Sequence, residues 1–448
     1  MKIQCIIIFA PRNRNIATTQ QRNNATTQHK MSHIDSHNAR TLHKVFHGLY
    51  SDMQRAYAAC DSQRLEPTVQ SVDSWRKLPM PADMRKQIET SGAASVEYFP
   101  QEIQHHVLNE QSTAITYRFL ATNPNATSRR DIVLHFVVFN TPNPDLKKML
   151  EHATRVCALM HLVSEHASRS TCSATLNIFI YMTEFKKLFP AARGEALDAE
   201  HANTGMSYHC AKDNDIVVYR EEEWFKVLIH ESFHAFGLSF IESDMPRGVD
   251  AAMQRVLQRT YAISHPVRVY ETYCEIWARV LNVCFACFSP PSMVGGGSPI
   301  LNVHLNAFIE CVLDGLHRDA QFALQQCEKI MHYMDIPWDV MCNPTKDNRA
   351  IVAQKYREHT NVFAYYVMTC ALQNSPDVFL VWCYKNNPTT AAKPRANILQ
   401  FRTIPSNFNG FMEMLLHCKC RPAMLAQPHG KNPDVADVLG STMRMTTN

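Results

Sequence analysis

Hydrophobic and polar positions change period several times along this chain, and each change predicts an element. Leu42, Val45, Phe46, Leu49, Met53 and Tyr57 recur at helical spacing, so a helix is expected over 40–60. Residues 95–140 alternate. That pattern predicts an antiparallel meander with strands near 102–109, 113–121 and 131–139, and a turn at Asn123-Pro124-Asn125. From Pro144 onward, Leu146, Met149, Leu150, Val156, Leu159, Met160 and Val163 predict a helix over 143–167. Ala174–Tyr181 and Asp215–Arg220 are short apolar runs rich in β-branched residues, the mark of buried strands. Trp224, Phe225, Val227, Leu228, Phe233, Phe236 and Leu238 return to helical spacing. Glu221, Glu222 and Glu223 suit the positive end of that helix, and Gly237 suits its C-terminal cap. Ser289-Pro290-Pro291 and Gly295–Pro299 mark a flexible connection. Beyond it, helices are expected near 300–334 and 350–373 and a strand near 377–384. Residues 385–396 and 420–448 read as loose.

The helix ending at Gly237 carries His230-Glu231-Ser232-Phe233-His234. Residues four apart on a helix lie one above the other, so both imidazoles can face one metal ion. Glu231 then stands beside that ion, where it can take a proton from water. Burying two histidines and a glutamate on an apolar helix is unfavourable without partners, and a metal removes that penalty. A hydrolytic zinc needs a third protein ligand and one open position. Glu271 and Glu275 share one face of a second apolar segment containing Ile276, Val280 and Leu281, with Pro266 as its helix start. Either can be the third ligand, and Glu242 and Asp244 are further acids within reach. Gly237 stands where metzincins have glycine, but their third histidine falls at Phe240, which cannot bind zinc.

Residues 174–285 resemble the zinc-binding core of gluzincin metallopeptidases: strand, edge strand, strand, HExxH helix, spacer, glutamate helix. More loosely, Val218–Val227 resembles the corresponding stretch of metallopeptidases encoded by large DNA viruses of protists. The resemblance implies Glu271 as ligand, with Glu275 hydrogen-bonding a ligand histidine and fixing its orientation. It also implies an edge strand at Thr204, Gly205, Met206, Ser207 and Tyr208 that pairs with extended substrate; an ordinary loop is the alternative for that stretch. A donor for the tetrahedral oxyanion is expected downstream, and Tyr356–Tyr366 is the richest cluster. His359 and Tyr366, seven apart, are the candidates, with Tyr365 on a neighbouring face.

The fold class expected is therefore α+β. A zincin-like core over 171–290 would follow a basic disordered tail (1–38) and an N-terminal α+β region (39–170). A mainly helical region (291–448) would come last. The function expected is zinc-dependent peptide hydrolysis with one Zn2+ per chain. The alternatives are a catalytically inactive zinc-binding scaffold and a structural or virion interaction protein.

Charge and cysteine content narrow the remaining classes. Net charge is +4 over 448 residues, and Lys2, Arg12, Arg14, Arg22, Lys30 and Arg40 against Asp35 concentrate the excess in the tail. The body is not expected to bind nucleic acid. A peptide or protein is the partner expected. No segment approaches the apolar length of a membrane span. Ile3–Ala10 is too short for a signal peptide, so an intracellular or virion location is expected. The 15 cysteines read as small core residues of a reduced protein rather than as a structural zinc site shared by Cys284, Cys287, Cys418 and Cys420.

Overall fold

The computed structural model describes residues 36–91, 99–122, 129–288, 301–387, 397–418 and 442–447. Residues 1–35 of the basic tail, the Asn123–Asn125 turn, the Gly295–Pro299 connection, Cys420 and most of the two stretches read as loose lie outside them; residues 36–38, expected to be disordered, begin the first helix.

The first half alternates between helix and sheet. α1 (Ser36–Asp61) leads to β1 (Thr68–Val72), α2 (Ala82–Ser91) and α3 (Gln101–Asn109). β2 (Ser112–Thr122) and β3 (Arg129–Phe139) follow, then α4 (Leu146–His166), capped by Asp145, and β4 (Thr175–Met182). The short α5 (Ala199–Ala202) precedes β5 (Gly205–Ser207) and β6 (Asp213–Val218). Next come α6 (Trp224–Ala235), α7 (Val249–Thr260) and α8 (Val269–Cys287). The remainder is helical: α9 (Leu301–Tyr333), α10 (Trp338–Cys342), α11 (Lys346–Lys355), a π-helical turn (Phe363–Met368) running into α12 (Thr369–Gln373), α13 (Pro376–Asn386) and α14 (Pro405–His417).

The six strands form one mixed sheet in the order β1-β2-β3-β4-β6-β5. β3, β4 and β6 run parallel, and β5 returns antiparallel on β6 as the edge. The α+β class stands. The sheet takes strands from both sides of the 170/171 boundary expected from sequence, so that boundary does not separate two cores. Successive residues of the parallel strands face opposite ways. Ile178, Ile180, Ile216 and Val218 join the large core with α1, α4, α6, α8 and the C-terminal helices. Phe179, Tyr181, Val217 and Tyr219 join a smaller core under α2 and α3.

Two expected strands are helices. Residues 101–109 bury Ile103, Gln104, Val107 and Leu108, an i, i+4 set that alternation imitates over so short a run. Residues 376–386 start on a helix-compatible proline and bury Phe379, Leu380 and Cys383, one helical face turned to the core. The helix expected over 350–373 is broken, because 356–361 lie between α11 and the π turn. The end of the chain is also not loose where it is described: Thr442, Met443, Met445 and Thr446 are buried. Two cysteine pairs are bonded, Cys172–Cys210 and Cys287–Cys311, which departs from the all-reduced expectation. The other described cysteines lie outside these two bridges and, apart from Cys342, are buried.

Candidate metal centre

α6 starts right after β6, so the sheet sets where the motif helix begins. Glu223 makes the corner in the left-handed region, at φ 60°. Its carboxylate does not cap the helix as the acidic run suggested. It pairs instead with Lys187 and accepts from the backbone N–H groups of Met445 and Thr446. Gly237 closes the helix at φ +63°, the C-terminal role expected. The Cys210 N–H also bonds the His234 carbonyl at 3.1 Å, which ties the motif's last turn to the Cys172–Cys210 bridge.

α8 packs against α6 and brings Glu271 to the two histidines. His230 Nε2 lies 3.1 Å from Glu271 Oε2 and 3.3 Å from His234 Nε2, and His234 Nε2 lies 3.4 Å from the same carboxylate oxygen. Tetrahedral donors about 2.0–2.1 Å from a zinc ion stand about 3.3–3.4 Å from one another. The three atoms thus span one face of a zinc-sized tetrahedron and leave its fourth corner free; donor type and spacing both fit the metal. Without metal, they hold one another electrostatically. Burial alone would lower His230, but the hydrogen bonds to Glu271 and Glu275 outweigh it and push it up to about 10. Burial opposes ionisation of Glu271 too, and the two histidines overcome it and hold its carboxyl far below the usual carboxylate range.

Glu275 sits one turn further along α8 and meets the other side of His230. Its Oε2 is 3.1 Å from His230 Nδ1, while Lys226 Nζ lies 3.0 Å and 3.1 Å from its two oxygens and Arg279 Nε 2.9 Å from Oε1. Arg279 continues to Gln373, and Gln373 to Asp319. Every member of this chain is buried. Glu242 and Asp244 are committed elsewhere, Glu242 to Arg268 and Asp244 to Arg169 and His209. Phe240, at the metzincin histidine position, is buried against Phe401, Phe408 and Phe411.

Glu231 points to the sheet edge. Its Oε2 accepts from Ser207 Oγ at 2.8 Å, so Ser207 on β5 orients it. The close approach of β5 to α6 depends on Gly205. A Cβ there would meet the Val217 carbonyl at 2.7 Å and Val227 Cγ1 at 2.8 Å. Thr204 and Tyr208 flank the strand; Met206 packs partly into the smaller core, and the Tyr208 hydroxyl reaches Asp83. A cavity of about 50 Å³ lies between edge and helix, lined by Thr204, Gly205, His230, Glu231, Tyr365 and Met445 among others.

The two downstream candidates are not at this site. His359 is 67% exposed and paired with Asp198, and Tyr366 is buried with its hydroxyl on the Met443 carbonyl. Their expected common face required a continuous helix, and His359 precedes the helical turn. Tyr365 comes to the site instead. Its ring stands 5.7 Å from His230, and Asn361 Nδ2 reaches both its hydroxyl (3.4 Å) and Glu271 Oε1 (3.3 Å). Asn361 lay within the expected Tyr356–Tyr366 cluster but was not singled out as a site residue. The only sequence signal for the pair is their spacing of four, since the wide π turn that orients Tyr365 has no marker of its own.

No family model matches the chain, and neither the curated proteins nor the solved structures contain a significant match to it. The described residues contain no helix long and apolar enough to cross a membrane.

Proposed function

We propose that this protein is a zinc-dependent peptidase of gluzincin type, with a zincin-like core made by β4, β5, β6, α6 and α8. The observation that supports this best is the convergence of His230 Nε2, His234 Nε2 and Glu271 Oε2 at 3.1–3.4 Å beside Glu231, whose carboxylate stays outside the set. A zinc ion held by these residues supplies Lewis-acid polarisation of the scissile carbonyl and a water acidified to a pKa of about 7. Glu231 takes the proton from the attacking water and returns it to the leaving nitrogen. The Ser207 hydroxyl keeps that carboxylate aimed at the cleft. An extended peptide lies antiparallel along Gly205–Ser207 as a seventh strand, held mainly through its backbone. Tyr365 donates to the oxyanion. Burial, with Glu271 second, raises its phenol well above the ordinary value, so the proton is in place at neutral pH.

A zinc-binding scaffold without turnover is the second reading, favoured by the narrowness of the cavity beside His230. Glu231→Gln separates the two. It is expected to keep its zinc while cleavage of an unstructured peptide library falls by about 10²–10⁴. Wild type that carries zinc and cleaves no peptide would establish the scaffold, and full zinc retention in both His230→Ala and His234→Ala would remove the metal site.

A further inference from the structure

A second group of soft ligands lies outside the candidate site, where α1 crosses α4. Cys60 stands in the last turn of α1, and Cys157 and His161 stand one turn apart on α4. One ligand atom from each falls within 4.8 Å of the others, and all three residues are buried, at 3%, 0% and 5% exposure. Two other cysteine pairs of this chain are bonded, whereas Cys60 and Cys157 remain thiols. Among the described residues neither cysteine has an arginine or lysine hydrogen-bonded to it; the two thiols hydrogen-bond each other, Cys157 also meets His161, and Cys60 Sγ makes a long contact to the Thr154 carbonyl, 3.9 Å.

We propose that Cys60, Cys157 and His161 form a second zinc site that pins α1 to α4. Two thiolates and a neutral imidazole balance a divalent ion, so the loaded site carries no net charge into the core. Zinc is the fit for this donor set because thiolate and imidazole ligands both suit it. The fourth position falls to water on the Asp61–Gln63 side, where Asp61 is exposed and Gln63 half-buried. Local changes are required. The Thr122 N–H meets His161 Nδ1 at 3.3 Å, and Gln63 Nε2 lies 3.0 Å from Nε2. A neutral imidazole has a single lone pair and cannot accept from both. Zinc takes that lone pair, so loading displaces the Thr122 N–H from the ring and also moves Gln63, whose amide bonds the Leu120 carbonyl (2.8 Å) and N–H (2.9 Å).

The site is independent of the proposed peptidase centre, and the experiment keeps the two apart. Full-length protein, kept reduced with a phosphine, is depleted of metal and titrated with zinc and, separately, with cobalt(II). About two zinc ions per chain are expected. Cobalt at the His230–His234–Glu271 centre has no sulfur ligand, so a near-ultraviolet sulfur-to-cobalt charge-transfer band reports the second site alone. The band is expected in wild type and in His230→Ala, and is expected to be lost in Cys60→Ser and Cys157→Ser, each of which keeps one zinc. His161→Gln spares both buried sulfurs and guards against misfolding of the serine variants; it should lose the second zinc as well. No band in wild type, or a band that survives in both serine variants, overturns the proposal. A Cys60–Cys157 disulfide in the reduced sample also overturns it. Loss of the His230-dependent zinc with the band intact removes the peptidase centre and leaves this site standing.

Discussion

The two sides of the His230 ring use the same residue type for opposite purposes. Glu271 and Glu275 lie one turn apart on α8, at 7% and 1% exposure. On the Nε2 side, Glu271 meets the two histidines and the neutral Asn361. On the Nδ1 side, Glu275 is held by Lys226, Arg279 and His230, although it also lines the small cavity. A carboxylate with neutral or titrating partners can give its charge to a metal. One that already neutralises two permanent cations cannot, and acts by holding the imidazole still. Partners, not burial, separate ligand from support.

The largest expected effect breaks the supporting side. Glu275→Ala leaves Lys226 and Arg279 buried without their shared anion, a loss of about 3–5 kcal/mol. Urea unfolding with a chelator present should show that drop, and a smaller one for Glu271→Ala. Zinc binding should run the other way: tight binding is abolished by Glu271→Ala but weakened only about 10–100-fold by the isosteric Glu275→Gln. Exchanged phenotypes would reverse the assignment.

Next in size is the open side's donor. Tyr365→Phe should cut turnover by about 10²–10³ with zinc content unchanged, as loss of one oxyanion donor does. An unchanged rate would remove Tyr365 from the chemistry.

The third test uses pH. In the metal-free site, His230 is pushed up to about 10 by Glu271 and Glu275 against the opposing effect of burial. Its proton therefore favours the metal-free folded form below that pH, and zinc has to displace it. Affinity should rise with pH through the neutral range. Calorimetry at pH 7 in buffers of different ionisation heat should detect proton release, and none would mean that His230 is already neutral there.

The smallest effects belong to the residues that moved out of the site. His359→Ala should leave turnover and zinc alone. Tyr366→Phe should lose its bond to the Met443 carbonyl, about 1 kcal/mol of stability in denaturant melts, without touching the rate.

The motif histidines, Glu271 and Glu275 were readable from sequence because all four rest on single helices, where a spacing of four is a statement about geometry. Gly205 and Ser207 were placed by the order of elements, and the strand does lie at the sheet edge. Tyr365 and Asn361 were not separable from His359 and Tyr366. That choice depends on where a helix begins and on a π turn inside it, and neither is a local propensity. The helices at 101–109 and 376–386 were misread for a related reason: a short apolar run fits either period until its buried neighbours select one.

Sequence alone therefore determined the candidate ligand types, their pairing on two helices and the strand-to-helix entry to the motif. Each follows from covalent spacing and backbone period, which act within a few residues. Tertiary structure decided which carboxylate joins both histidines and which is locked by cations. It also seated Met443–Thr446 against Glu223 and Lys187 and brought Cys60 to Cys157 and His161. Those contacts join residues far apart in sequence. They exist because burying ionised and polar groups is tolerable only where packing delivers their partners, and no local pattern records which partners those are.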